Sequence, residues 1–127
     1  MSAGPIALEI VTPDGVALVE RGLEAVIFHR REPRFEVGSE IAVLPQHAPM
    51  LVRLPISPMR FSRGEDTVHL AVGGGFAEVL RDHVLVLTPR CERIDAHGGD
   101  ARVAALERCA RWRSERLGPA PREAPSG

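Results

Sequence analysis

Residues 67–88 read TVHLAVGGGFAEVLRDHVLVLT and contain three apolar runs, divided by a glycine triplet and by a charged turn. In the first run, residues 68–72, apolar side chains alternate with other side chains, as in a half-buried strand. The glycines at 73–75 interrupt this pattern, and we interpret them as backbone that bulges or lies too close to a neighbour for a Cβ atom. Residues 81–83 then turn the chain into a last strand, 84–88.

The residues before this stretch contain five more short apolar segments, separated by turn signals such as Pro13-Asp14-Gly15. These segments are 6–11, 16–20, 23–28, 41–44 and 59–63. Short strands at such spacing are typical of an all-β sandwich or barrel. We therefore predict a mainly β protein, with a Greek-key-type antiparallel β-sandwich over residues 1–90.

After Pro89 the pattern becomes helical, which predicts a linker and one C-terminal helix over residues 91–117, with Asp100 as the N-cap. The predicted buried stripe of this helix is Val103, Leu106, Ala110 and Leu117, widened by Cys109 and Trp112. Gly118 ends the helix, and residues 118–127 are too rich in Pro, Ser and Gly to fold.

Composition limits the kinds of function that this chain can have. Its 127 residues suit one domain with a small appendage, and a formal net charge of -1 argues against a nucleic-acid partner. We find no signal peptide and no apolar run near the ~18 residues that a membrane-spanning helix needs, so we expect a soluble intracellular protein without membrane insertion.

Residues that commonly carry chemistry are scattered along the chain. Cys91 and Cys109 do not form a C-x-x-C pair, and the histidines show no local metal-binding spacing. Those histidines are His29, His47, His69, His83 and His97. The glycine triplet lacks the lysine of a phosphate-binding loop. We therefore expect no catalysis, no cofactor and no metal, and we disfavour a metal-dependent sandwich enzyme.

Residues 41–51, IAVLPQHAPML, place two prolines on either side of a histidine. Each proline fixes its own φ and restrains the preceding residue, which predicts a stiff loop that displays Gln46 and His47. Chemistry alone leaves two interpretations open, a rigid turn between strands or a binding loop.

Three ordered motifs give the chain a resemblance to a known family. These are LEIVTPDG at 8–15, EIAVLPQHAPML at 40–51 and AVGGGFAEV at 71–79, followed by the strand 84–87. Over about residues 6–90 the chain resembles the epsilon subunit of bacterial F-type ATP synthase, the counterpart of the mitochondrial delta subunit.

This resemblance implies a non-catalytic rotor-stalk subunit on the cytoplasmic face of the bacterial inner membrane. Its sandwich would bind the gamma subunit and the c ring, and would couple ion transport to ATP synthesis or hydrolysis. Residues carried over to the c-ring contact are Glu40, Pro45, Gln46, His47, Ala48 and Pro49. Arg30, Arg31 and Arg34 form a second possible contact, with the c ring or with lipid headgroups.

Several departures from the family pattern change these expectations. Ala42 and Gln46 replace two glycines of the central motif, and one helix replaces the usual helix pair. The nucleotide-binding pattern does not continue after Ile94-Asp95, so we expect no ATP binding and a weak or absent inhibitory function. The alternatives are a stand-alone β-sandwich module that binds a ligand or carbohydrate, and a divergent paralogue from an alternative ATPase operon.

Overall fold

The computed structural model describes residues 4–96 and 98–117, which form eight strands and one helix. The strands are β1 (Ile6–Thr12), β2 (Gly15–Leu23), β3 (Ala25–His29), β4 (Glu40–Val43), β5 (Met50–Arg63), β6 (Asp66–Leu80), β7 (His83–Leu87) and β8 (Cys91–Arg93), and the helix is α1 (Gly99–Leu117). The predicted class, mainly β with one C-terminal helix, is confirmed. His97 and the predicted tail, 118–127, lie outside the described residues. No helix among the described residues is long and apolar enough to cross a bilayer.

The strands follow the order β2-β1-β7-β6-β5-β3-β4, and β8 pairs with β6. Neighbouring strands are antiparallel, as predicted, except that β1 and β7 run parallel from the pair Ala7–His83 to the pair Val11–Leu87. The tight turn between β6 and β7 sets the direction of β7. The chain between β1 and β7 is long enough for the crossover that a parallel pair requires.

The long hairpin of β5 and β6 folds the sheet over into two layers. Residues 50–54 and 75–80 lie with β1, β2 and β7 in the first layer. Residues 56–63 and 66–73 lie with β3, β4 and β8 in the second layer. The hairpin therefore forms the covalent link between the layers.

The bend in this hairpin lies at the glycine triplet, where Gly74 and Gly75 have φ values of 89° and 108°. A Cβ atom on Gly75 would overlap the carbonyl oxygen of Leu87, so the predicted close backbone approach is confirmed. The alternative prediction, a bulge, is wrong, because the pairing of β5 with β6 keeps one register on both sides of the triplet. The predicted break between two strands is wrong, because β6 is continuous from Asp66 to Leu80. Strand β5 likewise begins at Met50, ahead of the predicted 59–63, and passes through Pro55 at the bend.

The core lies between the two layers. Strand β1 turns Ile6, Leu8 and Ile10 inward, where each is completely buried. The second layer contributes Val26, Phe28 and Phe61 among others. Full burial of one such side chain stabilises the fold by roughly 1.5–3 kcal/mol, so the facing rows of side chains hold the layers together.

Helix α1 begins one residue before the predicted N-cap, so Asp100 lies in its first turn. Gly98, with φ 61°, precedes the helix, and its carbonyl oxygen accepts a hydrogen bond from Ala101 N at 3.1 Å. A carboxylate in the first turn still interacts favourably with the helix dipole. Strand β8 occupies part of the predicted linker and pairs with residues 70–72 of β6.

The predicted buried stripe of α1 is correct only for Cys109 and Trp112, which are buried, and the side chain of Leu117 lies outside the described residues. Val103, Leu106 and Ala110 are exposed. The buried side is formed by Ala101, Ala105, Cys109 and Trp112, packed against Ile56, Ala71 and Ile94 on the outer face of the second layer. Small side chains let the helix approach the sheet closely, and Trp112 closes the far end of the contact. Shape, more than hydrophobicity, selects this side.

Candidate docking surfaces

Residues 44–49, here called the docking loop, begin with a tight turn. His47 N donates a hydrogen bond to Leu44 O at 3.2 Å, Pro45 is second in the turn, and Gln46 has φ 66°. A proline followed by a residue with positive φ is the pattern of a type II turn, in which glycine normally takes the third place. Gln46 has a side chain, and its left-handed backbone conformation therefore destabilises the fold by on the order of 1–2 kcal/mol.

Asp82, in the turn between β6 and β7, holds the docking loop. Its Oδ1 accepts a hydrogen bond from Gln46 N at 2.7 Å, and its backbone oxygen accepts one from Ala7 N at 2.9 Å. A hydrogen bond to a charged group contributes roughly 1.5–3 kcal/mol, enough to offset the cost of the positive φ at Gln46. Loop, turn and first strand are thereby connected, as the expected stiff loop requires.

The docking loop and this turn border one open cavity of about 500 Å³, lined by Gln46, His47, Ala48, Pro49, Arg81 and Asp82. The imidazole Nδ1 of His47 lies 2.7 Å from Ala48 O, which fixes the ring orientation. The structure therefore brings Gln46, His47, Ala48 and Pro49 together at one surface.

Glu40 lies at the other end of β4, so the structure does not bring it next to His47. The strand places the Glu40 backbone roughly 13 Å from the start of the docking loop. Arg60 donates to both carboxylate oxygens, at 2.9 and 3.4 Å, and His29 Nε2 lies 3.9 Å from Oε2. The hydrogen bond from Arg60 lowers the pKa of the Glu40 carboxyl, so Glu40 is an anion at neutral pH.

The three arginines of the predicted secondary contact follow β3, beyond the end of β4 that lies away from the docking loop. Arg30, Arg31 and Arg34 are all exposed. Arg31 N donates to Arg53 O at 2.8 Å, and the Arg31 side chain borders a groove of about 550 Å³ beside Trp112. These arginines and the docking loop form separate surfaces.

Sequence reasoning missed an exposed apolar surface on the outer side of the first layer. It runs across β2, β1, β7, β6 and β5, because the pairs Val11–Val16, Val11–Leu87 and Phe76–Leu87 align its side chains in rows. This apolar face consists of Val11, Val16, Val19, Leu51, Phe76, Leu80, Leu85 and Leu87. Leu51 is 71% exposed and Phe76 is 47% exposed. An exposed patch of this extent is a common sign of a protein–protein interface.

A signal for the apolar face was present in the sequence. Residues 84–87 of β7 are apolar at every position, whereas a strand with one solvated face alternates. Val84 and Val86 enter the core, and Leu85 and Leu87 point outward.

The two thiols have environments of low reactivity. Burial raises the pKa of both Cys91 and Cys109 to about 11, so each stays protonated at neutral pH. Among the described residues no group of His, Cys, Asp and Glu side chains could hold a metal ion.

Comparison with known proteins finds matches that cover most of the chain. A family model for the β-sandwich domain of the ATP synthase delta/epsilon chain matches residues 5–94. The ATP synthase epsilon chain of Syntrophobacter fumaroxidans is 35% identical over 113 residues, covering 89% of this chain and 79% of that one. The epsilon chain of Solibacter usitatus is 36% identical over 115 residues, covering 91% and 78%.

Two solved assemblies contain chains of the same fold. A chain from the Euglena gracilis mitochondrial ATP synthase, solved with OSCP, F1 and the c-ring, has a TM-score of 0.63 at 21% identity and covers 97% of this chain and 71% of its own. A chain from the Tetrahymena thermophila central stalk and c-ring has a TM-score of 0.58 at 13% identity, covering 89% and 95%. From the sequence relatives and the family model together, the chain belongs to the ATP synthase epsilon chain family.

Proposed function

We propose that this chain is a non-catalytic rotor-stalk subunit that binds the gamma subunit and the c ring, and so couples ion transport to ATP synthesis or hydrolysis. Family membership over most of the chain is the observation that carries this proposal. The fold supports it, since a two-layer body with a buried core changes shape little under load. The chain would work at the cytoplasmic face of the bacterial inner membrane, as a peripheral protein.

The apolar face is the surface that we assign to the gamma subunit. The outer side of the second layer is already covered by α1, whereas the outer side of the first layer is open. Two carboxylates lie within this face, because Glu9 pairs with both Val19 and Leu85 and Glu78 pairs with both Leu85 and Leu51. Such a face offers a partner apolar contacts together with a few charged groups.

The docking loop is the surface that we assign to the c ring. Pro45 and Pro49 limit its freedom before binding, so little conformational entropy is lost when a partner binds. Glu40 would contribute at a distance, through its own exposed carboxylate, and Arg30, Arg31 and Arg34 would form a separate secondary contact.

Co-purification tests the assignment to the stalk. The tagged full-length chain should co-purify with the gamma subunit of its own organism when the two are co-expressed. It should also restore coupled, ATP-driven ion pumping to membranes whose ATP synthase lacks this subunit. Failure to retain gamma would refute the proposal, whatever the state of the docking loop.

Substitution of Glu40 and His47 tests the c-ring assignment. The double variant Glu40→Ala/His47→Ala should retain gamma and fold normally, but should pump more weakly per ATP hydrolysed. Because β4 separates the two side chains, the single variants should each give a partial loss. Normal pumping by the double variant would refute this assignment and leave gamma binding intact.

A further inference from the structure

We propose that the β6–β7 turn, Arg81-Asp82, is the second half of the docking surface, with Asp82 as a positioning residue and Arg81 as a direct contact. The inference deepens the proposed function and rests on it. The partner would be a polar loop of the membrane-embedded ring that presents carbonyl or carboxylate oxygens.

Asp82 is placed to position the docking loop. Its side-chain Oδ1 accepts a hydrogen bond from Gln46 N, while its backbone oxygen accepts one from Ala7 N, so one residue joins the loop to strand β1 of the first layer. The loop and the turn are otherwise far apart in sequence. Gln46 has a backbone conformation that glycine normally takes, and the carboxylate of Asp82 stabilises it there.

Arg81 also departs from the residue that its backbone favours. Its φ is 44°, in a two-residue hairpin turn between the paired Leu80 and His83, where glycine or asparagine is preferred. Backbone strain of this kind is often retained at functional positions. The side chain is exposed and borders the cavity of the docking loop.

The chemistry of the cavity indicates the kind of partner. A guanidinium offers five N–H donors and no acceptor, so Arg81 fits a partner rich in oxygen acceptors. Ala48 and Pro49 supply an apolar wall on the same cavity. A short polar loop with a carboxylate or free carbonyls satisfies both features.

Amide exchange in the isolated full-length chain tests the positioning function. Asp82→Ala should speed hydrogen exchange at the Gln46 amide at least tenfold, and should lower ATP-driven pumping while ATP hydrolysis stays unchanged. Asp82→Asn keeps the Oδ1 acceptor, so its Gln46 exchange rate and its ATP-driven pumping should both be close to those of the unmodified chain. Asp14→Ala, in the exposed β1–β2 turn, is the matched control and should change neither the Gln46 exchange rate nor the pumping rate.

Arg81→Gly tests the direct contact separately. This substitution relieves the backbone strain at position 81 and should leave hydrogen exchange at the Gln46 amide unchanged. It should nevertheless reduce ATP-driven pumping at least twofold, because the guanidinium is lost. Normal pumping by both Asp82→Ala and Arg81→Gly would overturn the inference, provided that His47→Ala still weakens pumping. If His47→Ala also pumps normally while gamma is retained, the c-ring assignment itself fails, and the inference fails with it.

Discussion

The apolar face leads to a quantitative prediction for gamma binding. Phe76 is 47% exposed and Leu87 is 49% exposed, so each would bury about half of its surface under a partner. A phenylalanine side chain buries 150–250 Å² in full, so covering the exposed part of Phe76 removes roughly 100 Å² from water. At ~25 cal/mol per Å² this contributes about 2 kcal/mol, and the smaller Leu87 contributes about 1 kcal/mol.

We therefore expect Phe76→Ala to raise the Kd for gamma about 30-fold and Leu87→Ala about 5-fold. The assay is calorimetric titration of the chain into a gamma-containing catalytic head that lacks this subunit. Phe35→Ala is a matched control, because Phe35 is 63% exposed but lies in the loop between β3 and β4. The Kd of Phe35→Ala for gamma should stay within about twofold of the Kd of the unmodified chain, since that loop is not part of the apolar face.

Stability should hardly change in these three variants, because half-exposed side chains contribute little to the core. A melting temperature within a few degrees of the unmodified protein would show that the fold is intact. An unchanged Kd for both Phe76→Ala and Leu87→Ala, with normal melting, would refute the assignment of the apolar face to gamma.

Three further outcomes follow from the fold. Gly75→Ala should destabilise the protein by at least about 3 kcal/mol in urea unfolding, against about 1 kcal/mol for Gly64→Ala, because both have positive φ but only Gly75 lacks room for a Cβ atom. Trp112→Ala should release α1 from the sheet, which would be seen as faster amide exchange in the helix. Leu106→Ala should not speed this exchange, because Leu106 is exposed, and equal effects of the two variants would contradict the observed packing. Deletion of residues 100–127 should leave rotor assembly and ATPase activity almost unchanged, and a several-fold rise in ATPase would contradict a weak inhibitory function.

The sequence predicted the strands wherever one face is buried and the other solvated. Ile6, Leu8 and Ile10 alternate in β1 because water lies on only one side. The extent of β5 and β6 escaped prediction, because prolines and glycines normally end strands. Here the paired strands continue through the bend, and the close approach of Gly75 to Leu87 makes the glycine necessary.

The candidate site was predictable only in part. The two prolines predicted a stiff docking loop, but the hydrogen bond from Gln46 to Asp82 could not be predicted because it joins residues far apart in sequence. The buried side of α1 also depended on the partner surface, since Ala105 and Cys109 are less apolar than Leu106 but fit the sheet more closely.

The β6–β7 hairpin explains how such a subunit can transmit rotation without a hinge. Phe76 and Leu87 lie opposite each other on the apolar face, and Asp82 lies at the tip of the same hairpin. On the proposed assignment of the apolar face to gamma, a force applied at Phe76 would reach the docking loop through paired strands and one charge-assisted hydrogen bond. On this path the weakest element is the bond from Gln46 to Asp82. Loss of that bond should therefore reduce coupling while the apolar face remains intact.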